Sequence, residues 1–191
     1  MSEAKEMMEC PEDRLAPALA AMSDNDERAV GLFSELAESY PSDARLPFLR
    51  GSMLASLQRY DEACEALFGS VRIAPGFLIA RFQLGLLLLT CGRPVEALEI
   101  WGPLQLLPAD HYLRVFAQGL QSMARDEFDV AVSTLGRGIT LNQEIPPLNR
   151  DMQMVIDEMT KLGPSGGAGA GDAPISSAQL LLQQALVKTR H

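Results

Sequence analysis

Few residues in this sequence have a type and spacing suited to catalysis. Its only histidines are His111 and His191, and its three cysteines, Cys10, Cys64 and Cys91, form no C-x-x-C pair. Nucleophilic catalysis needs a serine or cysteine beside a base that a third group holds in place. No local pattern supplies that arrangement, and none has the spacing of a metal site. We therefore expect no enzymatic activity, no metal and no cofactor.

Two other stretches have compositions that occur in nucleotide-binding or catalytic sites. Residues 163–174 are rich in glycine, but they lack the Lys-Ser/Thr pair of a phosphate-binding loop and follow no predicted strand. Their composition predicts a flexible linker. Asp61 and Glu62 fit the first turn of a helix, where carboxylates favour the helix dipole. Neither stretch indicates a nucleotide-binding or catalytic site.

The balance of charges excludes several partners. The chain has 191 residues, with 16 lysines and arginines against 25 aspartates and glutamates, and a net charge of −9. Binding to nucleic-acid phosphates or to an anionic membrane needs clustered cations, so neither partner is expected. The longest apolar run, 84–89, is too short to span a bilayer. An acidic N-terminus unlike a secretory signal, together with unpaired cysteines, predicts a cytoplasmic protein.

Three residue types recur with a period of 34 residues. They are glycine, alanine and phenylalanine, at Gly51, Gly85 and Gly119, at Ala63, Ala97 and Ala131, and at Phe48, Phe82 and Phe116. A fixed period of this length marks a stacked repeat, and small residues at matched depths let two antiparallel helices approach closely. The period predicts helix–turn–helix units at 44–77, 78–111 and 112–145. One more step back reaches Ala29 and Pro41, which indicates a degenerate unit at 10–43.

This pattern resembles the tetratricopeptide repeat family over residues 10–145. The residues that carry the resemblance are Gly51, Tyr60, Ala63 and Pro75, then Gly85, Ala97 and Trp101, then Gly119, Phe128 and Ala131. The resemblance implies an all-α, right-handed α-solenoid of helix–turn–helix repeats. The chain departs from the family four residues before each glycine, where Pro47, Arg81 and Val115 replace an aromatic residue. Pro103 is expected to kink or end a second helix.

The segments outside the regular repeats have their own predictions. Residues 1–9 are predicted to be disordered, and the first helix of the degenerate unit is expected to be weak because Pro11 and Pro17 lie in it. Residues 146–162 are predicted to form a capping helix for the solenoid, and a glycine-rich linker follows at 163–174. Residues 175–191 are predicted to form an amphipathic C-terminal tail helix with an apolar stripe at Leu181, Leu182 and Leu186.

The resemblance also implies a concave groove that is lined by the first helix of each repeat and binds ligands. Residues three before, one after and four after each glycine would share this face. With Ile79 and Leu113 added, the predicted groove residues are Phe48, Ser52, Ala55, Phe82, Leu86, Leu89, Phe116, Leu120 and Met123. An apolar groove suits an amphipathic helix or an extended apolar peptide. The same stripe could instead be the core of each repeat.

The groove leads to a hypothesis about the tail helix and the partner. Large exposed apolar patches are uncommon on soluble monomers, so the tail would dock in the groove, in the same chain or in a neighbouring subunit, and compete with a partner. Alternatively, the tail folds only on another protein. The sequence thus predicts a scaffold or adaptor for a protein or peptide with an apolar segment, with homo-oligomers through the tail as an option. The alternatives are a chaperone resembling the small acidic tetratricopeptide chaperones of type III secretion, and a regulatory subunit of an enzyme complex.

Overall fold

The computed structural model describes residues 9–162 and 181–183, which form helices and the turns between them. The α-helices of this part of the chain are α1 (Glu12–Asp24), α2 (Asp26–Ser39), α3 (Arg45–Ser56), α4 (Tyr60–Ile73), α5 (Leu78–Thr90), α6 (Pro94–Trp101), α7 (Tyr112–Ala124), α8 (Phe128–Leu141) and α9 (Pro146–Leu162). A 3₁₀-helix, Gly102–Leu106, follows α6, and residues 181–183 form a helical turn. Most of the predicted disordered N-terminus, the glycine-rich linker, and the rest of the tail helix with Leu186 lie outside the described residues.

The chain divides into two compact units, and the division falls within α5, between Leu87 and Leu88. In the first unit, successive helices pack against each other in chain order, α1 on α2, α2 on α3 and α3 on α4. In the second unit, α7 packs on α8 and α8 on α9, and the 3₁₀-helix contacts both α6 and α7. Each unit is therefore built from antiparallel neighbours joined by short turns.

Two of the repeating glycines lie where paired helices come closest. A Cβ atom added to Gly51 of α3 would lie 2.8 Å from Cγ of Leu67 in α4. A Cβ atom added to Gly119 of α7 would lie 2.7 Å from Cγ of Leu135 in α8. Leu67 and Leu135 occupy the same position of their repeats, so the two hairpins use the same contact. This packing explains why Gly51 and Gly119 are glycines, since a larger residue would collide with the facing leucine.

The turns inside three repeats have the same backbone conformation. Gln58, Gly92 and Asp126, which are also 34 residues apart, have φ values of 61°, 74° and 60°. In each turn the left-handed residue and the residue after it donate their N–H groups to carbonyls of the preceding helix, as Gln58 does to Ala55 and Arg59 to Leu54. This is the pattern of a Schellman cap. Only the middle repeat has the glycine that this conformation favours.

Prolines shape two helices in different ways. α1 is a full helix of 13 residues, so the expectation of a weak first helix is wrong. Pro11 precedes its first turn, where no intrahelical donor is required, and Pro17 lies on its exposed side. Pro103 acts as expected, because α6 ends at Trp101 after eight residues and the chain continues as the 3₁₀-helix.

An ion pair between a buried aspartate and a half-buried arginine joins the start of the described chain to the start of α3. The carboxylate of Asp43, whose residue is 2% exposed, accepts hydrogen bonds from the backbone N–H of Cys10 at 2.8 Å and from Nη2 of Arg45 at 2.7 Å. Nη2 of Arg45 also donates to the carbonyl of Cys10 at 2.9 Å. Burial alone would raise the pKa of Asp43, but these donors outweigh it and hold the pKa below its ordinary value. We call this group, Cys10, Asp43 and Arg45, the N-terminal clasp.

Candidate protein-binding site

The first unit holds six of the predicted groove residues, and one of them, Ala55 of α3, is half-buried. Phe82 and Leu86 of α5 are buried, whereas Phe48 and Ser52 of α3 and Ile79 of α5 are half-buried. The ring of Phe48 lies beside that of Phe77, with centroids 5.0 Å apart. The hydroxyl of Ser52 lies 2.9 Å from Oε1 of Gln83, so this face of α3 is joined to α5 by a polar contact.

The second unit holds the other five, and all of them are buried: Leu89, Leu113, Phe116, Leu120 and Met123. The ring of Phe116 packs against α8, since a Cβ atom on Gly138 would lie 2.5 Å from its Cδ1 and Cε1 atoms. Met123 follows Phe116 by seven residues and so lies on the same face of α7. For Phe116 the structure therefore shows the alternative to the groove, which is packing inside the helical hairpin.

Leu113 and Leu120 lie on a neighbouring side of α7. Because they are seven residues apart, they share one line along the helix, and they flank Phe116 on the side away from Gly119. On the opposite side of α7, Nε2 of Gln118 donates to Oε1 of Gln105 in the 3₁₀-helix at 3.1 Å. Leu113 and Leu120 thus lie beside the α8 contact and away from the 3₁₀ contact.

The described turn of the tail lies against the end of α5. Leu181 and Leu182 are 3% and 0% exposed, so both leucines are covered. Nε2 of Gln183 lies 3.4 Å from the carbonyl oxygen of Thr90, the last residue of α5. Thr90 is 2% exposed, and Leu89 beside it is also buried. The structure therefore places two of the predicted tail residues next to the helix end that carries the predicted groove residue Leu89.

Residues with catalytic or ligating chemistry occur singly along the described part of the chain. Within the described residues, Cys10, Cys64 and Cys91 form no disulfide bond, and Nδ1 of His111 accepts from the backbone N–H of Leu113 at the start of α7. Across residues 9–162 and 181–183, no group of three or more histidine, cysteine or acidic side chains is placed to hold a metal ion. In the same residues, no helix has both the length and the apolar character needed to cross a membrane.

Sequence reasoning missed three polar residues of this region, which are Gln83, Thr90 and Gln183. Gln83 follows the predicted groove residue Phe82 directly, and Thr90 follows Leu86 by four residues, so spacing could have indicated both. Gln183 follows the leucine pair of the tail. Its contact is with a backbone carbonyl, which carries no signal in the sequence.

Comparison with known proteins agrees with the repeat architecture. No protein-family model matches the sequence. Small glutamine-rich tetratricopeptide repeat-containing protein 2 of Saccharomyces cerevisiae is 25% identical over 155 residues, which are 81% of this chain and 40% of the yeast protein. The chain thus spans well under half the length of that relative.

Two solved structures have a similar fold. MamA (41-end) of Desulfovibrio magneticus RS-1 superposes with a TM-score of 0.59 at 13% identity, over 93% of this chain and 91% of MamA. YrrB, a tetratricopeptide repeat protein with an unusual peptide-binding site, gives a TM-score of 0.55 at 17% identity, over 94% of this chain and 86% of YrrB. The chain therefore has the all-α tetratricopeptide-repeat fold, as the sequence predicted.

Proposed function

We propose that this chain is a non-catalytic protein-interaction scaffold that binds an apolar helical or extended segment of a partner in its second unit. The proposed site comprises Leu89 at the end of α5 and Leu113 and Leu120 on α7. The chain's own tail, through Leu181 and Leu182, occupies the site and competes with the partner. The observation that carries the proposal is the burial of this leucine pair beside the end of α5.

The energetics of burial favour such a competition. Covering a leucine side chain stabilises by about 1.5–3 kcal/mol, so the pair gives an appreciable docking energy even after the cost of ordering the tail. The tether between α9 and the leucine pair is 18 residues long, which sets an effective tail concentration on the order of millimolar. A partner must bind the site more strongly than the tail does at this local concentration. Releasing the tail should therefore increase the affinity for the partner.

YrrB provides a parallel, since it is described as having a peptide-binding site. In the first unit, the half-buried residues Phe48, Ser52 and Ile79 combine apolar and polar side chains, and their part in the predicted groove stays a prediction. The chaperone role, the regulatory-subunit role and the cytoplasmic location also stay predictions.

The test uses the full chain with the substitutions Leu181→Asp and Leu182→Asp, which place charges where the tail is buried. A synthetic peptide of residues 175–191 with a fluorescent label is titrated into the variant and into the unchanged chain. We expect the variant to bind the peptide about tenfold more tightly or better, because its own tail no longer competes. An apolar fluorescent dye should also bind more strongly to the variant than to the unchanged chain.

The matched control replaces two apolar residues that are exposed, Val95 and Leu106 at 67% and 88%, with aspartate. This control should bind peptide and dye as the unchanged chain does. Peptide binding that is absent or equal in all three proteins would overturn the proposal. Light scattering over a range of concentrations then shows whether the tail docks in its own chain or in a second copy.

A further inference from the structure

We infer that the proposed site is selective for a helix in which a leucine pair is followed at once by a hydrogen-bond donor, because the third side chain binds the carbonyl end of α5. The inference deepens the proposed function and rests on it. Its partner class is an amphipathic helix with the sequence Leu-Leu followed by glutamine, asparagine, lysine or arginine. The tail, with Leu181, Leu182 and Gln183, is the internal example.

The first step is the chemistry of the end of α5. The last four carbonyl groups of an α-helix have no partner within the helix. At this end, the carbonyls of Leu88 and Leu89 accept from the backbone N–H groups of Arg93 and Gly92, both within the Schellman cap. The carbonyl of Thr90 accepts from the side chain of Gln183. The tail therefore contributes a donor to a helix end that is otherwise capped by the turn.

The second step is the environment of that contact. Thr90 is buried and Gln183 is half-buried, so their contact is partly shielded from water, and a shielded hydrogen bond is stronger than one at an open surface. A partner helix with an acceptor at this position would lose the contact and would bring two acceptor oxygens together. The contact therefore adds selectivity to the non-directional burial of the two leucines.

The third step is charge. The end of α5 has the partial negative charge of a helix C-terminus. A neutral amide or a cation at the third position suits that potential, and a carboxylate would set an acceptor and a negative charge against the carbonyl of Thr90. Glutamate is nearly the same size as glutamine, so replacing Gln183 with glutamate changes the chemistry and conserves the volume.

The experiment uses the Leu181→Asp, Leu182→Asp full chain as the receptor and three labelled peptides of residues 175–191. One peptide has the natural sequence, one carries Gln183→Glu, and the matched control carries Gln184→Glu, which makes the same charge change one residue later. We expect the Gln183→Glu peptide to bind about tenfold more weakly than the natural peptide. The Gln184→Glu peptide should bind within about twofold of it.

The outcomes separate this inference from the proposed function. If the natural peptide binds and both glutamate peptides bind equally well, the selectivity inference is wrong and the proposed site stands. If the natural peptide fails to bind the receptor, the proposed site itself is wrong. A peptide with Gln183→Lys adds a positive test, because a cationic donor should bind at least as tightly as glutamine.

Discussion

The packing of Phe116 on Gly138 predicts opposite effects for two glycine substitutions in the same helix. Gly136 and Gly138 both lie within α8, and replacing either with alanine improves helix propensity by about 1 kcal/mol. A Cβ atom on Gly136 meets nothing within 4 Å, whereas one on Gly138 would lie 2.5 Å from two ring carbons of Phe116. Because Phe116 is fully buried, its ring cannot move into solvent to make room.

The magnitude follows from these two contributions. Overpacking in a core costs about 1–3 kcal/mol, so Gly138→Ala should range from neutral to about 2 kcal/mol less stable than the natural chain. Gly136→Ala should be about 0.5–1 kcal/mol more stable. The two variants should differ by about 1–3 kcal/mol in the free energy of unfolding. This difference measures the steric cost of a Cβ atom beside Phe116, because the gain in helix propensity is common to both.

The assay is urea denaturation followed by circular dichroism at 222 nm. Equal midpoints for the two variants, or a higher midpoint for Gly138→Ala, would refute the assignment of Phe116 to the interior of the hairpin. A second comparison adds Phe116→Leu to Gly138→Ala. The smaller side chain should recover part of the loss, and the double-mutant cycle gives the coupling between the two positions.

Three further predictions concern single side chains. Gln58 has a left-handed backbone, with φ of 61°. In urea denaturation, Gln58→Gly should therefore raise the free energy of unfolding by about 0.5–1 kcal/mol, and Gln58→Ala should not. Asp43→Asn should cost about 1–2 kcal/mol at pH 7, because it removes the charged partner of Arg45, whose side chain is 35% exposed and so is partly solvated. The pKa of Asp43 is lowered, so its stabilisation is present above the ordinary aspartate pKa and is lost as the pH falls through the folded value; the cost should shrink in melts at low pH. Burial raises the pKa of Asp151 to about 6, so the contribution of Asp151 is most favourable below its ordinary pKa and is lost as the pH rises through 6. Asp151→Asn should therefore raise stability by about 1–2 kcal/mol at pH 7.5 and leave it nearly unchanged at pH 4, and equal effects at both pH values would contradict this.

The fold was predictable because its steric requirements are visible in the sequence. Each repeat needs a glycine where its two helices come closest, so glycines recur with the period of the repeat. The contacts of Gly51 with Leu67 and of Gly119 with Leu135 show this requirement. The left-handed turn residues were harder to predict. Gly92 indicates such a turn, but Gln58 and Asp126 adopt the same conformation without its sequence signal.

The roles of the phenylalanines could not be settled from spacing. Helical periodicity shows which residues share a face of a helix, but it does not show which neighbour covers that face. Phe116 stands opposite Gly138, which leaves room for its ring. The equivalent pair in an earlier repeat is Phe48 and Ser70, and the hydroxyl of Ser70 donates to the carbonyl of Ala44. Residues at one repeat position therefore have different surroundings.

The role of the tail stays a prediction. Its apolar stripe includes Leu181 and Leu182, which are buried in the described turn. The contact of Gln183 with Thr90 could not be predicted, because the acceptor is a backbone carbonyl and every residue has one. Its significance depends on a helix ending at that point, which only the folded structure shows.

The N-terminal clasp has a consequence for how this end of the chain opens. Chain ends usually fray residue by residue, but the hydrogen bond between Cys10 and Asp43 joins positions 33 residues apart and encloses α1 and α2 in a closed loop. Closing a loop of that length costs about 3 kcal/mol of chain entropy. While the clasp holds, amide exchange from α1 should require the opening of the whole loop, so α1 and α2 exchange together. Once acid protonates Asp43, α1 should exchange well ahead of α2, as an ordinary fraying end.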